Sequence, residues 1–131
     1  MIRAATAARE VGVRVAVDLA CAAMIETYGA QAFRALVRKL DPALVFGNER
    51  AWDMVGGSPG QLSVDAVLKR GRAGATFAVG GVCVSLGVTP GPVVDVTGAG
   101  DALAAGYFVG GPHRAMAAAR CIAQTGAAPP Y

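Results

Sequence analysis

Within this chain of 131 residues, the stretch best equipped for chemistry is Asp95-Val96-Thr97-Gly98-Ala99-Gly100-Asp101. Gly98 and Gly100 allow backbone dihedrals that a side chain forbids, and they leave room for a ligand to approach the main chain. The following Ala102-Leu103-Ala104-Ala105 predicts a helix whose first N–H groups lack intrahelical acceptors. Those groups and the positive end of the helix dipole favour an anion. Asp101 sets a carboxylate beside them. Amides that attract phosphate, next to a side chain able to accept a proton, suit a hydroxyl attacking a phosphoryl group.

Two other accounts compete for the same residues. A dinucleotide-binding fingerprint needs a third glycine and an acidic residue about 20 positions further on. Here Leu103 occupies the glycine position, and neither Asp nor Glu follows Asp101. The plainer account is a tight strand-to-helix turn with Asp near the helix cap.

Elements that could position this stretch are legible on either side of it. Residues 1–11 predict a helix ended by Gly12, and 13–19 predict a strand. Apolar positions Ala30, Phe33, Leu36, Val37 and Leu40 keep helical spacing over 28–40, with Arg34, Arg38 and Lys39 opposite. Asp41-Pro42 breaks that helix, and 43–46 reads as a short buried strand. A brief helix through Trp52 and Met54 follows, then a loop over 55–63 and a strand over 64–68. Two strands, 76–79 and 82–86, flank Gly80-Gly81, a hairpin signal. A linker over 88–92 leads to a strand at 93–96 and the glycine-rich turn. Gly110-Gly111-Pro112 interrupts the helix after it, 114–125 predicts a last alanine-rich helix, and the tail from Gly126 is irregular.

Strands alternating with helices indicate an α/β fold with a mostly parallel sheet, helices on both faces and one antiparallel hairpin. Ligands of open α/β sheets bind beyond the carboxyl ends of the strands. Asp18, Asn48, Gly71 and Asp101 each follow a predicted strand and are expected along one such edge.

Bulk properties exclude other classes. The formal charge of +3 is modest, with 54% hydrophobic residues and scattered arginines, so no basic stripe argues for nucleic acid. The densest basic spot is Lys69-Arg70-Gly71-Arg72, either a solvated strand end or a phosphate neighbourhood. Cys21, Cys83 and Cys121 are far apart and lie among apolar neighbours, which predicts buried, reduced thiols and a cytoplasmic protein. His113 has no histidine or nearby cysteine to share a metal and is expected at the surface. No apolar run is long enough to cross a membrane, so no membrane partner is expected.

The Asp-x-Thr-Gly-Ala-Gly-Asp pattern at 95–101 resembles the signature of the ribokinase-like (PfkB) family of carbohydrate and nucleoside kinases. The resemblance implies a partial ribokinase-like three-layer sandwich. It further implies that Asp101 is the catalytic base and that Gly98, Ala99 and Gly100 form an anion hole. In many relatives the residues matching Asp95 and Thr97 also help hold a monovalent cation, K+. The substrates implied are ATP with Mg2+ and a small sugar or nucleoside bearing the acceptor hydroxyl. Phe46-Gly47-Asn48-Glu49 resembles the family's Asn-x-x-Glu segment, with Asn48 in place and Ala51 where the family has Glu. Leu68 to Ala75 resembles the turn beside the nucleotide phosphates, matching at Gly71 and Gly74, with Lys69 and Arg70 adding positive charge. The final helix and Gly126-Ala127 resemble the family's closing segment near the adenine. The spans from Asn48 to Lys69 and from Gly106 to Gly126 are shorter than the family's usual ones.

By this resemblance residues 1–131 form a single partial domain, the C-terminal half of such a kinase. The family's other half supplies the sugar-binding residues, a lid and further strands. Its absence predicts an exposed sheet edge that invites self-association, for instance as a homodimer. The resemblance is compatible with an active phosphotransferase and with a truncated, non-catalytic nucleotide-binding fragment.

Overall fold

The computed structural model describes residues 1–56, 61–63, 65–88, 90–118 and 120. Among these described residues eleven elements follow in order: α1 (Ile2–Glu10), β1 (Ala16–Asp18), α2 (Ala22–Tyr28), α3 (Ala30–Leu40), β2 (Leu44–Asn48), α4 (Glu49–Val55), β3 (Asp65–Lys69), a 3₁₀ turn (Gly71–Ala73), β4 (Ala75–Val79), β5 (Val82–Leu86) and α5 (Ala99–Ala118). The five strands form one open sheet in the order β1-β2-β3-β4-β5. The α/β class expected from the sequence is the one observed.

Connection lengths set the strand directions. β1, β2 and β3 are joined through helices and run parallel, with Val17 opposite Val45 and Val45 opposite Ala66. Such crossovers are right-handed, which brings successive helices to the same side of the sheet. α2, α3 and α4 indeed pack on one another, and α4 also contacts β2 and β3. Between β3 and β4 only the 3₁₀ turn intervenes, and between β4 and β5 only Gly80 and Gly81. Connections so short permit antiparallel pairing alone, so the sheet is mixed. Gly80 (φ 57°) and Gly81 (φ 81°) give the two-residue turn the positive dihedrals that such a hairpin requires.

The chain divides into two compact units. The first is Met1–Arg70 with Thr76–Val84; the second is Gly71–Ala75 with the described residues from Ser85 onward. In the first unit Leu19, Ile25, Val37, Val45, Ala51, Trp52, Val55, Leu62 and Ala66 form one buried cluster. Leu44, Phe46 and Val67, which alternate with the cluster residues along β2 and β3, are buried as well. Central strands without a solvated face account for the near-continuous apolar runs at 43–46 and 64–68. Asp65, at the start of β3, is the one charged residue among the buried described residues. Its carboxylate accepts from Arg14 at 2.8 Å and from the Gly80 amide at 3.1 Å, so it has partners that offset its desolvation.

In the second unit α5 is broken at Gly110 (φ −161°, ψ 27°) and Gly111 (φ 72°, ψ −160°). The second segment folds back onto the first. A Cβ on Gly106 would lie 2.5 Å from the Arg114 carbonyl and 2.7 Å from the Ala118 Cβ, so only glycine admits this approach. The interruption expected at Gly110-Gly111-Pro112 is therefore present. The last helix expected over 114–125 is described through Ala118 and again at Arg120; positions 119 and 121–125, Cys121 among them, and the tail from Gly126 lie outside the described residues.

Four expectations are corrected. No strand forms at 93–96: those residues lie outside the five strands, and Val93, Val94 and Val96 are 47%, 58% and 67% exposed. β-branched composition makes a strand only where a neighbouring strand offers hydrogen-bond partners. The strand expected over 13–19 is confined to Ala16–Asp18. A helix not anticipated, α2, occupies Ala22–Tyr28 and is separated from α3 by Gly29 (φ 91°). Finally, Cys21 and Cys83 are exposed rather than buried, because Cys21 precedes α2 as its cap and Cys83 lies on the edge strand β5. His113 is exposed, as expected.

Candidate functional site

In the second unit Gly98 sits at φ 75°, a left-handed conformation that turns the chain into α5. Two hydrogen bonds build the elbow: the Ala99 amide donates to the Val96 carbonyl at 3.2 Å, and the Ala102 amide donates to the Gly98 carbonyl at 2.8 Å. The amide of Ala99 is thus already engaged. Those of Gly98, Gly100 and Asp101 have no acceptor among the described residues. The available donors at this elbow are therefore Gly98, Gly100 and Asp101, rather than the run Gly98, Ala99 and Gly100 expected from the motif.

Asp101 lies in the first turn of α5. Its side chain is exposed and has no ion pair or hydrogen bond with any described residue. A carboxylate placed there is favoured by the helix dipole and remains open to solvent and ligand. Six residues earlier, Asp95 folds back on its own turn, its Oδ1 accepting from the Thr97 amide at 2.8 Å. Asp95 and Thr97 offer only oxygen donors, which suit a hard cation.

The same unit contains the turn Gly71–Ala73. Gly71 (φ 54°) has open space around it. Gly74 (φ 93°) differs: a Cβ there would collide with the Leu86 carbonyl and stand 2.9 Å from Gly87. Close chain approach by itself accounts for glycine at 74, whereas space beside Gly71 leaves a ligand free to reach the backbone.

In the first unit the carboxyl ends of the parallel strands gather a second set of polar groups. Asn48 ends β2 and is the register partner of Lys69, which ends β3. The Asn48 Oδ1 accepts from the Ala51 amide at 2.8 Å and so caps α4. Its amide nitrogen is the group left to meet a ligand. Lys69 Nζ lies 2.7 Å and 2.9 Å from the two oxygens of Asp18, at the end of β1. Arg70 pairs with Glu49 at 3.6 Å. The basic spot is therefore charge-balanced at Lys69 and Arg70. Sequence reasoning placed Asp18 at a strand end but missed this pairing; the signal was a carboxylate and an amine each closing a parallel strand.

Ala51, where the resembling motif carries Glu, is wholly buried within the apolar cluster of α4. No group of three or more His, Cys, Asp or Glu side chains that could hold a metal ion occurs among the described residues. No helix among them is long and apolar enough to cross a membrane.

Among known proteins, no family profile matches the sequence, and neither does any curated protein. Solved structures do match. The chain superposes on the adenosine kinase from Sinorhizobium meliloti with a TM-score of 0.82 and 25% identity, over 98% of this chain and 45% of that one. A probable sugar kinase from Rhizobium etli gives 0.82 and 23% identity, covering 98% and 44%. The aminoimidazole riboside kinase from Salmonella enterica, solved with aminoimidazole riboside and an ATP analog, gives 0.75 and 18% identity over 96% and 51%. The chain thus spans about half the length of the kinases it matches. Its α/β architecture, with the open mixed five-stranded sheet, is the fold of about half of a ribokinase-like sugar or nucleoside kinase.

Proposed function

We propose that this chain belongs to an ATP-dependent phosphotransferase that moves the γ-phosphoryl group of ATP to a hydroxyl of a sugar or nucleoside. The observation that carries the reading is the exposed, unpartnered Asp101 carboxylate in the first turn of α5, beside the open amides of Gly98 and Gly100. Asp101 takes the proton of the attacking hydroxyl as general base. The amides of Gly98 and Gly100 donate to oxygens of the transferring group as negative charge shifts across it. Phosphoryl transfer depends mainly on positioning and charge stabilisation, so a few fixed donors and one base supply what the protein must contribute at the reacting centre.

Mg2+ arrives on the nucleotide, where it neutralises phosphate charge. Asn48, Lys69, Gly71 and Gly74 are each proposed as nucleotide-binding residues; Gly74 contributes through the shape of its turn. Asp95 and Thr97 are the proposed holders of a monovalent cation such as K+. The ATP analog in the Salmonella relative supports ATP as donor. On this reading residues 1–131 act as one partial kinase domain.

A second reading is favoured by Ala51: a unit that binds nucleotide without turning it over. The motif's carboxylate is missing there, and the methyl that replaces it faces the core. One assay separates the two. ADP release from Mg·ATP is measured over a panel of sugars and nucleosides, beside calorimetry of Mg·ATP binding. Acceptor-dependent release that falls by about a thousandfold in Asp101→Asn supports the phosphotransferase. Binding without release supports the second reading, and release unchanged in Asp101→Asn would remove Asp101 as the base.

A further inference from the structure

Asp18 and Lys69 close two strands that are not neighbours, since β2 lies between β1 and β3. Asp18 pairs in register with Phe46, and Phe46 with Val67, so Lys69 lies two residues beyond Asp18's row. Residues two apart on a strand share a face, and the long lysine side chain leans back along that face to reach Asp18. It arrives with both carboxylate oxygens in range, at 2.7 Å and 2.9 Å.

The two partners are held unequally. The Oδ1 of Asp18 also accepts from the Ala20 amide at 2.8 Å, and Ala20 adopts φ 44°, unusual for a residue other than glycine. That turn fixes the carboxylate, whereas the lysine carries a flexible four-carbon stem. Asp18 therefore orders Lys69, not the reverse. An ammonium has three protons, and two oxygens of Asp18 take two of them. The third is left for another acceptor. The side chains retain 18% and 29% exposure, so the contact is open to a ligand.

We infer that Asp18 is a positioning residue: it holds the Lys69 ammonium at the strand-end edge so that its remaining N–H donates to a phosphate oxygen of the nucleotide. The inference rests on the proposed nucleotide-binding reading and adds to it a residue outside the glycine-rich elbow. Ordering a free lysine costs side-chain entropy, and a carboxylate that has already fixed the stem removes much of that cost from binding. Protein kinases use the same logic on another fold, with a glutamate holding the lysine that meets ATP. Because the pair is neutral overall, its effect is short-ranged and directional.

The test uses the full chain and calorimetric titration with Mg·ATP and, separately, with inorganic tripolyphosphate. Lys69→Ala is expected to weaken both ligands about tenfold, and Asp18→Ala about fivefold. In the Lys69→Ala background, Asp18→Ala should change affinity by less than about twofold, because a positioning residue acts only through its lysine. The exchanged pair, Asp18→Lys with Lys69→Asp, controls for folding: it retains a bridge between β1 and β3, and melting temperature reports its stability. A folded exchanged pair that still binds poorly supports positioning, whereas recovered binding assigns Asp18 a purely structural role and overturns the inference.

Tighter binding by Asp18→Ala also overturns it, since the carboxylate would then compete with phosphate. Wild-type affinity in both single variants overturns the inference while leaving nucleotide binding intact. Tripolyphosphate binding through Lys69 without Mg·ATP binding keeps the positioning role and removes the nucleotide. Binding of neither ligand by the wild-type chain overturns both.

Discussion

The side chain of Asn48 accepts the Ala51 amide at 2.8 Å, and this contact joins the end of β2 to the first turn of α4. The same residue thus closes a strand and starts a helix. Its oxygen is occupied structurally, which turns its remaining amide donor towards any ligand role.

Asn48→Ala should therefore cost about 1 kcal/mol of stability through the lost cap. Asn48→Asp keeps an acceptor for the Ala51 amide but replaces the donor with negative charge. Denaturant melts should show the Asn48→Asp variant near wild-type stability, while calorimetry shows weaker Mg·ATP binding in both variants. Unchanged affinity in Asn48→Asp would exclude Asn48 from contact with nucleotide.

Restoring the motif carboxylate is expected to fail. Ala51 is 0% exposed and packs with Trp52 and Val55 in the apolar cluster. Ala51→Glu forces a charged side chain into that cluster or drives α4 away from β2, at a cost of about 3 kcal/mol or more. Thermal unfolding followed by circular dichroism measures it. An unchanged melting temperature would mean that the side chain at 51 escapes to solvent.

Asp65 joins Arg14 to the Gly80 amide with a side chain only 9% exposed. Arg14 itself is 69% exposed, so water screens much of the ion-pair energy. The larger loss in Asp65→Ala comes from the Gly80 amide left without its acceptor, and a total of about 2 kcal/mol is expected. Asp65→Asn, which keeps that acceptor, should lose less than half as much in the same urea titration. Parity between the two variants would assign the stability to charge instead.

The two glycines of the turn before β4 should respond differently. Gly71→Ala meets open space and bears only the strain of its dihedral, about 1 kcal/mol. Gly74→Ala adds a collision with the Leu86 backbone and should cost several times more, about 3 kcal/mol or above. Urea midpoints distinguish the two, and a Gly74→Ala chain as stable as Gly71→Ala would mean that β5 shifts freely.

Sequence alone determined what is local. Helical spacing over 28–40 gave α3, Gly80-Gly81 gave the hairpin, and Gly110-Gly111 gave the break in α5. Each follows from dihedral freedom or from periodicity within a few residues. The glycine-rich elbow at 98–101 was legible for the same reason.

Tertiary structure decided what depends on residues far apart. Val93, Val94 and Val96 carry strand-forming side chains but belong to none of the five strands, so composition did not suffice. The Ala99 amide donates its proton to Val96, which a motif cannot report. Asp18 and Lys69 are 51 positions apart, and Arg14 and Asp65 are equally distant; only the parallel register brings either pair together. Such contacts arise from how strands align, and that alignment is a property of the folded sheet rather than of any short stretch of chain.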